Sequence, residues 1–213
     1  WVLTSTGYTI FDAARNVIMQ SDRRLFFPQN KIIVIGEEMA RTGIAPLLDF
    51  FDRDPEPRRL SWLLVAKGKA SDIIHAKHEQ EKIPAKAIEG MVKSSSVSSM
   101  AVKVNINDLL KSILSPTTDS IAGRIEMIND DVGESKKMRV TGAAVFKKDK
   151  LAGFLDRPET RGLNWVLGKV RSGTIIVKSP KEENKNVALE IIRASSKITP
   201  AIQGGKVVIT VEI

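Results

Sequence analysis

The chain has 213 residues, 42% of them hydrophobic and 27% charged, the balance of a globular protein that buries a core. It contains no Cys, which excludes a disulfide framework, thiolate metal sites and cysteine nucleophiles, and it has no run of roughly 18 apolar residues that would cross a bilayer as a helix. The net charge of +8 is unevenly placed: residues 1–136 hold 18 Lys and Arg against 18 Asp and Glu, whereas residues 137–213 hold 15 against 7.

That shift, together with the loop-like stretch Asn129–Lys137, divides the chain into a first domain at 1–136 and a strongly basic second domain at 137–213. Basic surfaces attract nucleic acid, anionic lipid or acidic proteins, or are simply solvated. Nucleic acid is disfavoured, because aromatics make up only 5% of the residues and no binding motif is present.

In chain order, Val2–Ser5 reads as a short strand. Thr9 caps a helix with Asp12 three residues on, and Ile10, Ala13, Ala14, Val17 and Ile18 form its apolar stripe. Lys31–Ile35 is a β-branched run, expected to be buried on both faces. A helix over Glu37–Thr42 is interrupted by Gly43, and Pro46 starts a fresh turn with Ile44, Leu47, Leu48 and Phe51 inward. A loop at Asp52–Arg58 leads to strand Ser61–Ala66. Helices follow at Ala70–Lys77, Pro84–Lys93 and Asn107–Ser115, and then a strand at Ile121–Ile128. Ser94–Ser99, five Ser in six residues, reads as a loop.

The second part reads as strands Met138–Phe146 and Leu151–Leu155 around a charged turn at Lys148–Lys150. A helix at Pro158–Val170 follows, then strands Thr174–Lys178, Val187–Lys197 and Lys206–Ile213. Leu163, Val166, Leu167 and Val170 fall at helical spacing, predicting one buried face. The fold class is therefore α+β: a mixed-sheet first domain with β-α-β crossovers, followed by a smaller antiparallel α+β second domain.

Candidate sites are few. Ile35-Gly36-Glu37-Glu38 follows a buried strand but is neither G-x-G-x-x-G nor a Walker loop, and its carboxylates would repel phosphate. His75 and His78, with Glu79 nearby, have chelating spacing, yet they are the only two His in the chain and read as a solvated pair. Asp52/Asp54 and Asp130/Asp131 sit in charged loops. No residue set supports catalysis, and no cofactor or metal is expected. Glu159, in the first turn of its helix, is placed to gain from the helix N-terminus and to pair with Arg157 or Arg161, a clamp holding hairpin to helix. Trp165 lies off the aliphatic stripe, where it fills an interdomain seam or anchors a partner. Glu159, Arg161 and Trp165 are thus the candidate structural or partner-interface residues.

Ala144–Lys147, Asp149–Gly153 and Glu159–Val170, in that order, resemble the Ger(x)C family, the lipoprotein C subunits of spore nutrient germinant receptors. Ser5–Ala13, Lys31–Ile44 and Leu48–Arg58 agree with the same family, so the resemblance covers essentially the whole chain. It implies a non-catalytic subunit that assembles with integral-membrane A and B subunits and couples nutrient sensing to germination. The location it implies is the outer face of the spore inner membrane, at an anionic lipid surface, held by a lipid anchor outside this chain. The chain starts at Trp1 without Met and stops at Ile213 inside a predicted strand, so truncation at both ends is expected. The alternative is a small-molecule-binding domain using loops Ser5–Gly7, Gly36–Glu38 and Lys67–Lys69 at the carboxyl ends of the first sheet.

Overall fold

The structure is a computed structural model and describes residues 2–21, 25–53, 59–76, 78, 80–130, 136–182 and 184–213. Helix α1 (Ile10–Ile18) starts where expected. Thr9 accepts a hydrogen bond from the Asp12 backbone N–H at 3.1 Å, and Asp12 accepts one from the Tyr8 N–H at 2.9 Å, which satisfies donors that a helix start leaves open. Strand β1 (Ile32–Gly36) leads into α2 (Glu37–Thr42). Gly43, at φ 136°, breaks the helix before α3 (Ala45–Arg53). Strand β2 (Trp62–Ala66), helices α4 (Ala70–His75), α5 (Pro84–Ser94) and α6 (Ile106–Leu114), and strand β3 (Ile121–Asn129) follow.

Strands β4 (Lys136–Lys147) and β5 (Lys150–Leu155) form a hairpin whose two-residue turn is Lys148–Asp149. Helix α7 (Arg157–Val166) then precedes two hairpins, β6 (Thr174–Lys178) with β7 (Asn186–Glu190), and β8 (Lys197–Gln203) with β9 (Lys206–Glu212).

One five-stranded sheet, in the order β1-β2-β3-β4-β5, organises the described residues. β1, β2 and β3 run parallel and β4 and β5 antiparallel, giving the mixed α+β class read from sequence. Alternation along β2 supplies both faces. Leu63 and Val65 join Ile44, Leu48, Phe51, Leu109, Ala143 and Phe146 in one core. Leu64 and Ala66 join Ile73, Ile88, Val92, Ile125 and Met138 in the other, under α4 and α5. Each fully buried Val, Leu, Ile, Phe or Met among them contributes about 1.5–3 kcal/mol by leaving water. β3 and β4 pair from Ile121↔Val145 to Asn129↔Lys136, so the sheet holds strands from either side of the 129–137 stretch.

Four expectations need correction. Val2–Ser5 forms no strand. β1 is an edge strand with Ile32, Ile33 and Val34 only half-buried; a β-branched run alone does not distinguish an edge from a centre. The predicted strand Val187–Lys197 is cut at Glu190, because Ile191 turns inward, 9% exposed, and donates its N–H to the Gly173 carbonyl at 2.8 Å. The helix predicted to run to Val170 ends at Val166, where Gly168 takes φ 63° and closes it. Expectations that fall on Trp1, Asp54–Arg58, Lys77, Glu79 and residues 131–135 lie outside the described residues.

Candidate functional site: a polar seam beneath helix α7

Helix α7 is fixed first at its own start. Asp156 accepts from the Glu159 N–H at 2.9 Å, and Glu159 accepts from the Asp156 N–H at 2.8 Å, a reciprocal capping box with Pro158 in the first turn. Glu159 is thereby committed to the cap and is exposed; it makes no ion pair with Arg157 or Arg161.

Arg161 points the other way, donating to the Thr174 carbonyl at 2.7 Å and the Ser98 carbonyl at 3.2 Å. One turn on, Asn164 is 4% exposed and donates its amide to two carbonyls, Ser99 at 2.9 Å and Ala101 at 3.2 Å. One turn back, the Arg157 guanidinium rests 3.4 Å from the Met100 sulfur. Residues 157, 161 and 164 thus form a polar stripe at helical spacing, laid along the backbone of residues 98–101.

That backbone is the end of the serine-rich stretch, and it is gripped from the far side as well. Ser99, in the left-handed region at φ 54°, donates its hydroxyl to the Ser172 carbonyl at 2.6 Å and accepts from the Arg171 N–H at 3.4 Å. The Met100 carbonyl accepts from the Gly142 N–H at 2.7 Å. The serine-rich stretch is therefore the seat of α7, joining the chain before β3 to the chain after β4.

The aliphatic face expected on α7 is only partly buried. Leu163 packs on the core, but Val166 is 38% and Leu167 43% exposed, and Val170, buried, lies beyond the helix. The buried helical positions are Thr160 and Asn164, because hydrogen bonding to the Ser98–Ala101 backbone sets the rotation of the helix. Trp165 is half-buried. Replacing Leu167 by Ala should consequently cost about 1 kcal/mol or less, the range for a partly exposed position; a urea titration checks this, and a loss of 3 kcal/mol or more would place Leu167 in the core.

A second tie sits on the same face of the sheet. Arg124 on β3 donates to the Leu155 carbonyl at 3.1 Å and to Glu126 at 3.0 Å, while Arg139 on β4 donates to the same Glu126 oxygen at 2.9 Å. Arg124 is 8% and Glu126 7% exposed. Burial pushes the Glu126 carboxyl up, but hydrogen bonds from Arg139 and Arg124 and their positive charges outweigh it, holding the group below the usual glutamate range. A carboxyl lowered in the folded state stabilises fully above its unfolded pKa, and that stability is lost as pH falls through the folded value. Glu126→Gln should cost about 2 kcal/mol at neutral pH by leaving two guanidinium groups without a counter-charge. It should also flatten the acid limb of a stability–pH curve; an unchanged acid limb would remove Glu126 from that role.

The loops named for a small-molecule site close on themselves. The Glu37 N–H donates to the Gly68 carbonyl at 2.9 Å and the Gly68 N–H to the Glu37 carboxylate at 3.1 Å, which occupies the polar groups at the ends of β1 and β2. Thr6 instead accepts from Asn16 of α1. The nearby cleft, about 220 Å³, is lined by Ile10, Ile33, Ile35, Met39, Leu47 and Phe51 among others, apolar side chains without convergent donors. His75 bonds back to the Ser71 carbonyl within its own helix at 2.8 Å.

A five-stranded mixed sheet, with α7 seated by hydrogen bonds on the chain before β3, defines an α+β protein. Its relationships are specific. The family described as "Spore germination protein N-terminal domain" matches residues 1–127, and "Spore germination B3/ GerAC like, C-terminal" matches residues 141–213. The chain belongs to the Ger(x)C family of spore germination proteins.

Spore germination protein B3 of Bacillus subtilis (strain 168) is 28% identical over 214 residues, covering 99% of this chain and 55% of that protein. Spore germination protein KC of the same organism is 28% identical over 227 residues, covering 100% of this chain and 56% of that protein. The crystal structure of the GerBC protein superposes with a TM-score of 0.59 at 25% identity, covering 94% of this chain and 56% of that one. The chain spans about half the length of the curated relatives it matches.

Proposed function

We propose that the chain acts as the non-catalytic C subunit of a nutrient germinant receptor, contributing to receptor assembly and to coupling of nutrient sensing to germination. The observation that carries this reading is the seam. Asn164, Arg161 and Ser99 tie the region matched by the N-terminal family description to the region matched by the C-terminal one, the connection a subunit needs if a displacement at one end is to be felt at the other. Family membership and the names of the relatives support the same role. Spores carrying a deletion of the gene test it: loss of germination with one class of nutrient, restored by the wild-type gene, is expected, and an unaltered response to every nutrient would contradict it.

In this reading the subunit lies on the outer face of the spore inner membrane, with integral-membrane A and B subunits as partners. The excess positive charge of residues 137–213 then faces anionic lipid. Each Lys or Arg near such a surface contributes about 1 kcal/mol, screened within about 8 Å at physiological salt. Vesicle sedimentation should show binding to anionic lipid that falls with salt; equal binding to neutral vesicles, or binding indifferent to salt, would rule this out.

A further inference from the structure

The β4–β5 turn breaks two local rules at once. Lys147 and Lys150 face each other directly across the strands, an arrangement of like charges that costs stability. Between them Lys148 takes φ 58°, in the left-handed region where a two-residue hairpin turn ordinarily places Gly or Asn. All three lysines are exposed, and none of them forms an ion pair among the described residues. The carboxylate of the turn is directed elsewhere: Asp149 lies against Gly43, and its carbonyl accepts the Ile44 N–H at 2.9 Å. Local rules broken without a gain in packing mark functional surfaces.

Beside the turn, a recess of about 540 Å³ is lined by Leu114, Ser115, Thr117, Thr118, Lys147 and Lys148 among others. Leu114, the last residue of α6, is 80% exposed. The recess has one acid, Asp119, which is also exposed. Unpaired ammonium groups, hydroxyls and an uncovered aliphatic side chain therefore share one rim.

We infer that this rim is the surface that meets the membrane, with the lipid phosphates of an anionic bilayer on Lys147, Lys148 and Lys150 and with Leu114 entering the interface. The inference rests on the proposed setting of the chain at an anionic lipid surface, and it names the part of the chain that touches the lipid. Two observations select a bilayer over an acidic protein. Protein–protein interfaces are depleted in Lys and favour Tyr, Trp, Phe, Met and Arg, none of which lines the recess. A free aliphatic side chain among lysines instead has the composition of elements that lie in a membrane interface, where each Lys adds attraction to anionic headgroups.

Vesicle sedimentation of the full gene product tests this, on phosphatidylcholine alone and on equal parts phosphatidylcholine and phosphatidylglycerol. Lys147→Gln, Lys148→Gln and Lys150→Gln together should weaken binding to the anionic vesicles by about 100-fold. Leu114→Ser should weaken it by about tenfold. Lys178→Gln, Lys181→Gln and Lys206→Gln together remove the same charge elsewhere and should cost less than about fivefold, because distant charges are screened. Thermal midpoints should be unchanged throughout, since every replaced side chain is exposed. Equal losses from the two triple variants would overturn the inference, as would full binding by Leu114→Ser. So would inorganic phosphate that raises the midpoint of the wild type but not of the turn variant, which would make the ligand a free anion, or equal affinity for polyglutamate, which would make it an acidic protein. A wild type that binds anionic vesicles without using this rim leaves the receptor reading standing; a protein that recovers no integral-membrane subunit fails that reading and leaves the vesicle result intact.

Discussion

Asn164→Asp is expected to destabilise the protein by about 3–5 kcal/mol at neutral pH, the cost of an uncompensated buried charge. The change alters almost no volume. It replaces an amide that donates to the Ser99 and Ala101 carbonyls by a carboxylate that must face both oxygens at 4% exposure. Asn164→Ala should cost less, about 1–3 kcal/mol, because it orphans two carbonyls without adding charge. The introduced carboxyl has its pKa raised by burial and by the two oxygens, so lowering the pH should restore part of the loss, opposite in sign to the Glu126 effect. Urea unfolding at neutral and acid pH reads both. Equal stability of the Asp variant and wild type would mean that α7 is not seated by this bond pair.

Gly142→Ala is the other large effect. Gly142 sits at φ 80°, and a Cβ there would lie 2.5 Å from the Leu155 carbonyl oxygen and 3.2 Å from the Arg124 guanidinium carbon. The backbone strain and the clash together are worth about 3–5 kcal/mol. Neither neighbour can yield without breaking the Arg124–Leu155 bond or the Gly142–Met100 bond. Gly153→Ala in the partner strand β5 is the control. A Cβ there meets nothing within 4 Å, so the change should stay within about 0.5 kcal/mol. Chemical denaturation of the pair decides it, and similar midpoints would contradict the geometry.

What could be read from the sequence was local. The Thr9–Asp12 cap, the break at Gly43, the β4–β5 hairpin and the start of α7 each depend on residues within a few positions of one another, and the structure has them where the spacing predicts. The rotation of α7 was not legible. Leu163, Val166 and Leu167 read as one buried face, but Asn164 reaches carbonyls 63 and 65 residues earlier in the chain, and that distant backbone decides which side faces in.

A signal was nonetheless present. Arg157, Arg161 and Asn164 repeat at helical spacing, and the serine-rich stretch offers short side chains and accessible carbonyls to receive them. Glu159 lies in the first turn of α7, but its partner is the Asp156 backbone N–H rather than the guanidinium of Arg157 or Arg161, because a capping box forms within the turn before any longer reach is needed. The edge position of β1 had no local signature at all; sheet order is set by β2 and β3, whose pairing joins residues some sixty apart in the chain.

Recovery of membrane partners tests the receptor reading most directly. The full gene product, tagged and purified from detergent-solubilised spore membranes, should bring down two integral-membrane subunits. In the proposed receptor reading, the half-buried Trp165 anchors that contact. Trp165→Ala should weaken recovery by roughly 30-fold in affinity, as loss of a hot-spot aromatic worth about 2 kcal/mol would, while the urea midpoint falls by no more than that of Leu167→Ala. Purification of the wild-type protein without any integral-membrane subunit would contradict the account.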